Sequence, residues 1–357
     1  MERNARLDCM RGAAILAVLS NHIGIRIPLT HSNLTNILPR WFLTGLNYNG
    51  TEAVYVFFVL SGFLISSRMR DRYGSLDAVK PITFLVSRAR RIIPPLLLLI
   101  IILLLLNALN IGDYRFDKAG QTATGACLAA LGLYFNVWQA RHGWSVASWT
   151  VLWSLSIEEL FYLVFPFICR AGKYVFWPLL IGVAFVGLAA IAHNFQNDIW
   201  QDQNTYAGMG CIALGVVCSL LAPHLKYQTK IVVFFPIIAL FLMVPDLFFG
   251  RFLWDRFGRC LVVCFVLGTA LIVVFCALRG GRPSKSTYFL RRIGQLSYEI
   301  YLFHMFIVLS VLAVWRGTEA YSWVLYPVIV TCAWALGEAV FWSMRRLDNR
   351  LFSQLPR

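Results

Sequence analysis

Four stretches of this 357-residue chain, 92–106, 231–244, 260–278 and 324–336, contain no charged side chain. Nothing else in the sequence restricts the fold as much. Runs approaching ~20 apolar residues match the hydrocarbon core of a bilayer. Inside that core every backbone N–H and C=O must bond within its own segment, which makes such runs helices. Apolar residues form 59% of the chain and charged residues only 14%, too little charge to cover a soluble domain of this size. The expectation is an all-α polytopic membrane protein, with one membrane domain over residues 1–357 and no soluble domain appended. The first apolar stretch, 12–27, is interrupted by Asn21 and His22. No small-residue cleavage site clearly follows it, so it reads as a permanent span. The nine cysteines lie mostly in apolar runs and form no CxxC pair, which argues against a metal cluster or a disulfide framework.

Candidate spans fall near 9–27, 51–67, 92–109, 174–192, 206–222, 231–249, 260–278, 293–314 and 323–343, with 121–169 less regular. Charge orients them. Segment 68–91 carries Arg68, Arg70, Arg72, Lys80, Arg88, Arg90 and Arg91 against Asp71 and Asp77. Residues 279–292 hold five basic residues and no acid, and the tail has Arg345, Arg346, Arg350 and Arg357. The opening Arg3 and Arg6 belong with these on the cytoplasmic side, by the positive-inside bias. Loop 193–205 has Asp198 and Asp202 with no Lys or Arg, which suits the outside. The pattern closes if 121–169 crosses once in net, giving about ten spans with both termini cytoplasmic. Part of 121–152 is then interfacial, re-entrant or a broken helix, tolerated only where protein or a cavity surrounds it. The same bias accounts for the net charge of +15, so the basicity points to the bilayer surface and away from nucleic acid.

Several ionisable side chains lie in these apolar segments. Arg11 and His22 are eleven positions apart on the first span, roughly 16 Å along a helix. Arg11 then sits near the cytoplasmic boundary and His22 at or beyond the midplane, where an ionisable group is by default functional. A neutral histidine bonded to a carbonyl, with Arg11 snorkelling to headgroups, explains the pair equally well. Segment 153–166, WSLSIEELFYLVFP, opens with adjacent carboxylates Glu158 and Glu159. Neighbours on a helix point about 100° apart, so one at most is expected to face a given cavity. The topology puts them at about the depth of His22, where a carboxylate orients an imidazole; interfacial carboxylates in contact with water are the plainer reading. In FLVSRARRIIPP, 84–95, Arg88 and Arg91 are three apart and suit one phosphate group on a helix, although a basic span entrance is also an ordinary topology signal. In 50–67, Ser61-Gly62 at mid-span permits close helix packing. In 293–306, IGQLSYEIYLFHMF, Ser297, Tyr298, Glu299 and His304 share one apolar helix, lining a cavity or bonding across helices.

Together these segments resemble the acyltransferase-3 family of membrane O-acyltransferases. RLDCMRGAAILAVLSNH is similar to its opening Arg, ten residues, His motif, matched at Arg11 and His22. VYVFFVLSGFLI, SRARRIIP, WSLSIEELFYLVFP and GQLSYEIYLFH resemble four further motifs, in the family's order. The chain departs twice: Tyr55 stands where the family has Asp, with Glu52 three residues earlier, and Ser87 replaces the first of two arginines. The resemblance implies transfer of an acyl group, usually acetyl, from cytoplasmic acyl-CoA to a hydroxyl of a glycan or lipid-linked saccharide. It implies acetyl-CoA as co-substrate, no permanently bound cofactor or metal, and residence in the bacterial inner membrane. It places His22 and Glu158 in catalysis, Arg11, Arg88 and Arg91 at the donor, and Glu52, Ser61 and Tyr298 on the substrate cavity.

Two other classes share some of these features. A transporter or flippase also needs about ten spans and buried charge, and would move substrate without a donor. An assembly subunit would tolerate replacement of Arg11 and His22.

Overall fold

The computed structural model describes residues 4–226, 228–281 and 284–352. Arg3, Arg282 and Arg357 of the basic segments lie outside them. The described residues form helices and connecting turns. The first half runs α1 (Ala5–Gly24), α2 (Arg40–Asn47), α3 (Gly50–Tyr73), α4 (Pro81–Ala108), α5 (Ala123–Leu131), α6 (Phe135–His142), α7 (Ala147–Thr150) and α8 (Leu152–Ile168). The second runs α9 (Lys173–Ala192), α10 (Asp198–Asp202), α11 (Thr205–Leu225), α12 (Thr229–Val232), α13 (Phe235–Phe257), α14 (Cys260–Arg279), α15 (Tyr288–Gln295), α16 (Ser297–Val314) and α17 (Leu325–Phe352). Among the described residues, nine helices are long and apolar enough to cross a membrane. The 20-residue α1 is not one of them; it carries Arg6, Asp8 and Arg11 in its first turns. The chain is an all-α, multi-pass membrane protein.

Residues 121–152 fold as a short hairpin. Helices α5 and α6, of 9 and 8 residues, rise about 13 and 12 Å, less than half of a ~30 Å core. Gln121 Nε2 ties the hairpin's two ends by donating to the carbonyls of His142, Gly143 and Trp144 at 2.9, 3.0 and 3.2 Å. At the tip, Leu133 is left-handed (φ 60°), and the Phe135 N–H donates to Ser156 Oγ on α8 at 3.2 Å. The hairpin therefore enters and leaves on one side, and α8 makes the crossing.

Helix α3 packs on α11, which in turn packs on α9. Lipid offers no hydrophobic drive between helices, so small residues decide how closely they approach. A Cβ at Gly62 would strike the Ile212 carbonyl, one at Gly215 the Val59 carbonyl, and Gly187 and Gly210 meet backbone to backbone. The mid-span packing role expected of Ser61-Gly62 is thus present at Gly62. Gly62→Ala is expected to cost about 1–3 kcal/mol, because the obstacle is backbone and cannot rotate away. The thermal inactivation midpoint of detergent-solubilised protein should fall for Gly62→Ala and hold for Gly182→Ala, which meets nothing within 4 Å.

The spans extend further than hydropathy suggests. Segment 68–91, read above as a connection, is mostly helix: α3 continues to Tyr73 and α4 begins at Pro81. Apolarity ends where the headgroups begin, but a helix needs only its own hydrogen bonds. Arg68 and Arg72 therefore continue the face of α3, and Arg88 and Arg91 form one turn of α4. The span expected over 293–314 is broken at Leu296 into α15 and α16.

Candidate active site

The basic segments gather at one end of the bundle. Asn4 donates to the Cys276 carbonyl at the close of α14 (2.9 Å), and the Arg6 guanidinium lies over Phe275. Arg70 Nη2 donates to the Ser219 carbonyl at 2.7 Å and Arg292 grips Glu338 with two hydrogen bonds. A cavity of about 300 Å³ opens among α1, α3, α4, α8 and α16 at this end. Arg11, Arg68, Arg72, Arg88 and Arg91 line it, followed deeper by Ser61, Glu158, Glu159, Tyr298 and Tyr301.

Both carboxylates reach the cavity, contrary to the one expected from the 100° offset. The cavity wraps around α8, so each acid meets a different neighbour. Glu158 Oε1 accepts hydrogen bonds from Ser61 Oγ of α3 and from Tyr162 Oη, each 2.6 Å. Glu159 turns toward α4, with 3.7 Å between its carboxylate and the Arg88 guanidinium. The Tyr162 ring lies 4.0 Å beneath the same guanidinium, a cation–π contact that holds Arg88 against the wall. Tyr298 Oη donates to the Ile92 carbonyl at 2.9 Å.

His22 stands deeper than Glu158. Along α16 the side chains Tyr298, Tyr301 and His304 mark successive steps away from the arginines. Tyr301 Oη and Ser154 Oγ meet at 2.7 Å on the cavity wall. One turn further, His304 faces His22 with ring centroids 5.0 Å apart. The matched depth expected of His22 and Glu158 is replaced by this histidine pair: Ser154 of α8 reaches Tyr301, and Glu158 lies one turn nearer the arginines. His304 is fully buried, and its Nδ1 is 2.7 Å from the Tyr301 carbonyl. A carbonyl can only accept, so Nδ1 carries the proton and the buried, unpartnered Nε2 keeps its lone pair. The YEIYLFH segment signalled a polar helix face, but its proximity to His22 was not legible in it.

Of the residues chosen from sequence, Arg11, Ser61, Arg88, Arg91, Glu158 and Tyr298 line the one cavity, and His22 and Glu52 do not. Glu52 is in the first turn of α3, in the electrostatic neighbourhood of Asp246, Asp202 and Arg259. It is more than two turns of α3 from Ser61, and although the cavity reaches Val54 it is not lined by Glu52.

The motifs behind these walls have a common origin. A family profile described as an acyltransferase domain matches residues 4–341. The chain belongs to the acyltransferase-3 family. A relative named "Putative peptidoglycan O-acetyltransferase YrhL", from Bacillus subtilis (strain 168), is 27% identical over 91% of this chain and 52% of its own length. "O-acetyltransferase OatA" of Staphylococcus aureus (strain NCTC 8325 / PS 47) is 25% identical over 85% of this chain and 50% of its own. The chain spans about half the length of the curated relatives it matches. No solved structure matches it. Within the acyltransferase-3 family the motif residues of this chain are therefore distributed as a ladder, arginines at one end and two histidines at the other.

Proposed function

We propose that this chain is an O-acetyltransferase that moves acetyl from cytoplasmic acetyl-CoA to a hydroxyl of a glycan or lipid-linked saccharide outside the membrane. The observation that carries this reading is the ladder itself, which runs from an arginine-lined cavity to the pair of buried His304 and half-buried His22. The arginine end is cytoplasmic by the positive-inside bias, which sets both termini there and His22 toward the outer half. Family membership and the names of the bacterial relatives support the reaction class.

In this reading Arg88 and Arg91 take the phosphates of CoA, since guanidinium forks match phosphate oxygens. Arg11, Arg68 and Arg72 stand around the same mouth. The pantetheine arm runs inward past Glu158 and Tyr298 and brings the thioester to the Tyr301–Ser154 pair. His22 takes the proton of the acceptor hydroxyl as its oxygen attacks the acetyl carbonyl. The C–S bond breaks, and the proton passes to the departing thiolate, giving an O-acetyl ester and CoA. Glu158 holds Ser61 and Tyr162 and shapes the acyl passage. His304, with its Nε2 lone pair turned into the protein, orients His22.

The test uses membrane vesicles of both orientations supplied with acetyl-labelled acetyl-CoA. Base-labile label should enter the glycan fraction only when the donor reaches the cytoplasmic face. Equal labelling from either face, or label that appears without this protein, would overturn the proposal.

A further inference from the structure

A second cavity, of about 260 Å³, lies at the opposite end of α1. Arg26, Asp113, Arg115, Asp117, Lys118 and Gln121 line it, with Val146, Ala147 and Leu309 as its apolar side. We infer that this cavity is the acceptor site and that it binds a saccharide bearing hydroxyl, amide and carboxylate groups. This inference rests on the acetyltransferase reading above.

Position carries the assignment. Arg26 belongs to this cavity and is one turn beyond His22, to whose carbonyl its Nη1 donates at 2.9 Å. Its charge acts on both histidine rings and is itself met by Asp113. A ligand that fills the cavity against Arg26 is thus about one helical turn from His22, on the side opposite the first cavity. Two reactants can then approach one base from two faces without crossing each other.

The lining suits a saccharide. Three cations face two carboxylates, and neither sign dominates the surface, which disfavours a simple polyanion. Asp113, Asp117 and Gln121 accept from hydroxyls, while Arg26, Arg115 and Lys118 donate to carboxylate or amide oxygens. Several of these groups, though exposed, already have protein partners. Arg115 Nε is 2.5 Å from Asp117, Lys118 Nζ donates to the Trp144 carbonyl at 2.7 Å, and Gln121 is anchored on the hairpin ends. The floor is the chain on either side of the α5–α6 hairpin, Gly112 to Gln121 before it and Ser145 to Ala147 after it.

The experiment measures binding of lysozyme-released muropeptide fragments to the full chain in nanodiscs, by calorimetry, with acetyl-CoA titrated separately. Wild type should bind the fragments. Asp113→Asn, which is isosteric, and the double variant Arg115→Ala/Lys118→Ala should each weaken that binding at least tenfold and leave acetyl-CoA binding unchanged. Absence of fragment binding in wild type, or equal binding in every variant, would overturn the acceptor assignment. Loss of acetyl-CoA binding with fragment binding intact would count against the donor reading and leave this cavity's assignment standing, so the two failures are distinguishable.

Discussion

His22→Ala should lower acetyl transfer by about 10²–10⁴-fold, the usual contribution of a positioned general base. The loss should appear in label reaching the glycan fraction, normalised to inserted protein. Acetyl-CoA binding should survive, because His22 does not line the donor cavity. The split between intact donor binding and lost transfer is what separates a proton acceptor from a packing residue. His304 is fully buried against His22, and its replacement by Gln should cause a smaller loss, since it touches His22 and not the reacting atoms. Unaltered transfer in a folded His22→Ala protein would remove the histidine pair from the chemistry and leave the ladder without a function at its deep end.

Arg88→Ala/Arg91→Ala should raise the half-saturating acetyl-CoA concentration by about 10²-fold or more. Hydrogen bonds to charged groups contribute about 1.5–3 kcal/mol each, and each ~1.4 kcal/mol is tenfold in affinity. The maximal rate should change much less, because the phosphates are remote from the bond being broken and bind alike in ground and transition states. Arg88→Lys alone should recover part of the loss, restoring charge without the planar fork. Arg88 is braced by Glu159 and Tyr162, so Glu159→Gln should weaken donor binding through the loosened guanidinium. An unchanged donor dependence in the double variant would take the arginines out of the donor site and restore their plainer role as topology signals.

Sequence alone settled those matters that depend on local chemistry. A charge-free apolar run has one stable form in a bilayer, because its backbone must satisfy itself. The excess of basic residues in short connections predicts one orientation for the whole chain. The family resemblance placed Arg11, Ser61, Arg88, Arg91, Glu158 and Tyr298 in one site with His22 and Glu52, and the fold gathers the first six, but not the last two, around one cavity. Even the hairpin within 121–152 was foreshadowed, since the charge pattern allowed only one net crossing over 121–169.

Tertiary structure decided the matters that depend on how far one helix slides past another. Depth read from residue counts put Glu158 beside His22; the observed register of α8 against α3 and α16 sets it about two turns nearer the arginines and gives it Ser61 and Tyr162 instead. Nothing in the spacing of His304 from His22 along the chain could announce that their rings would meet. The wrap of the cavity around α8, which admits both Glu158 and Glu159, is likewise a property of three helices together. So is the exclusion of Glu52, which does not line the cavity although Val54, two residues further along α3, does. The approach of α3 to α11 is likewise set where Gly62 and Gly215 let backbones touch, and that contact is made between segments distant in sequence.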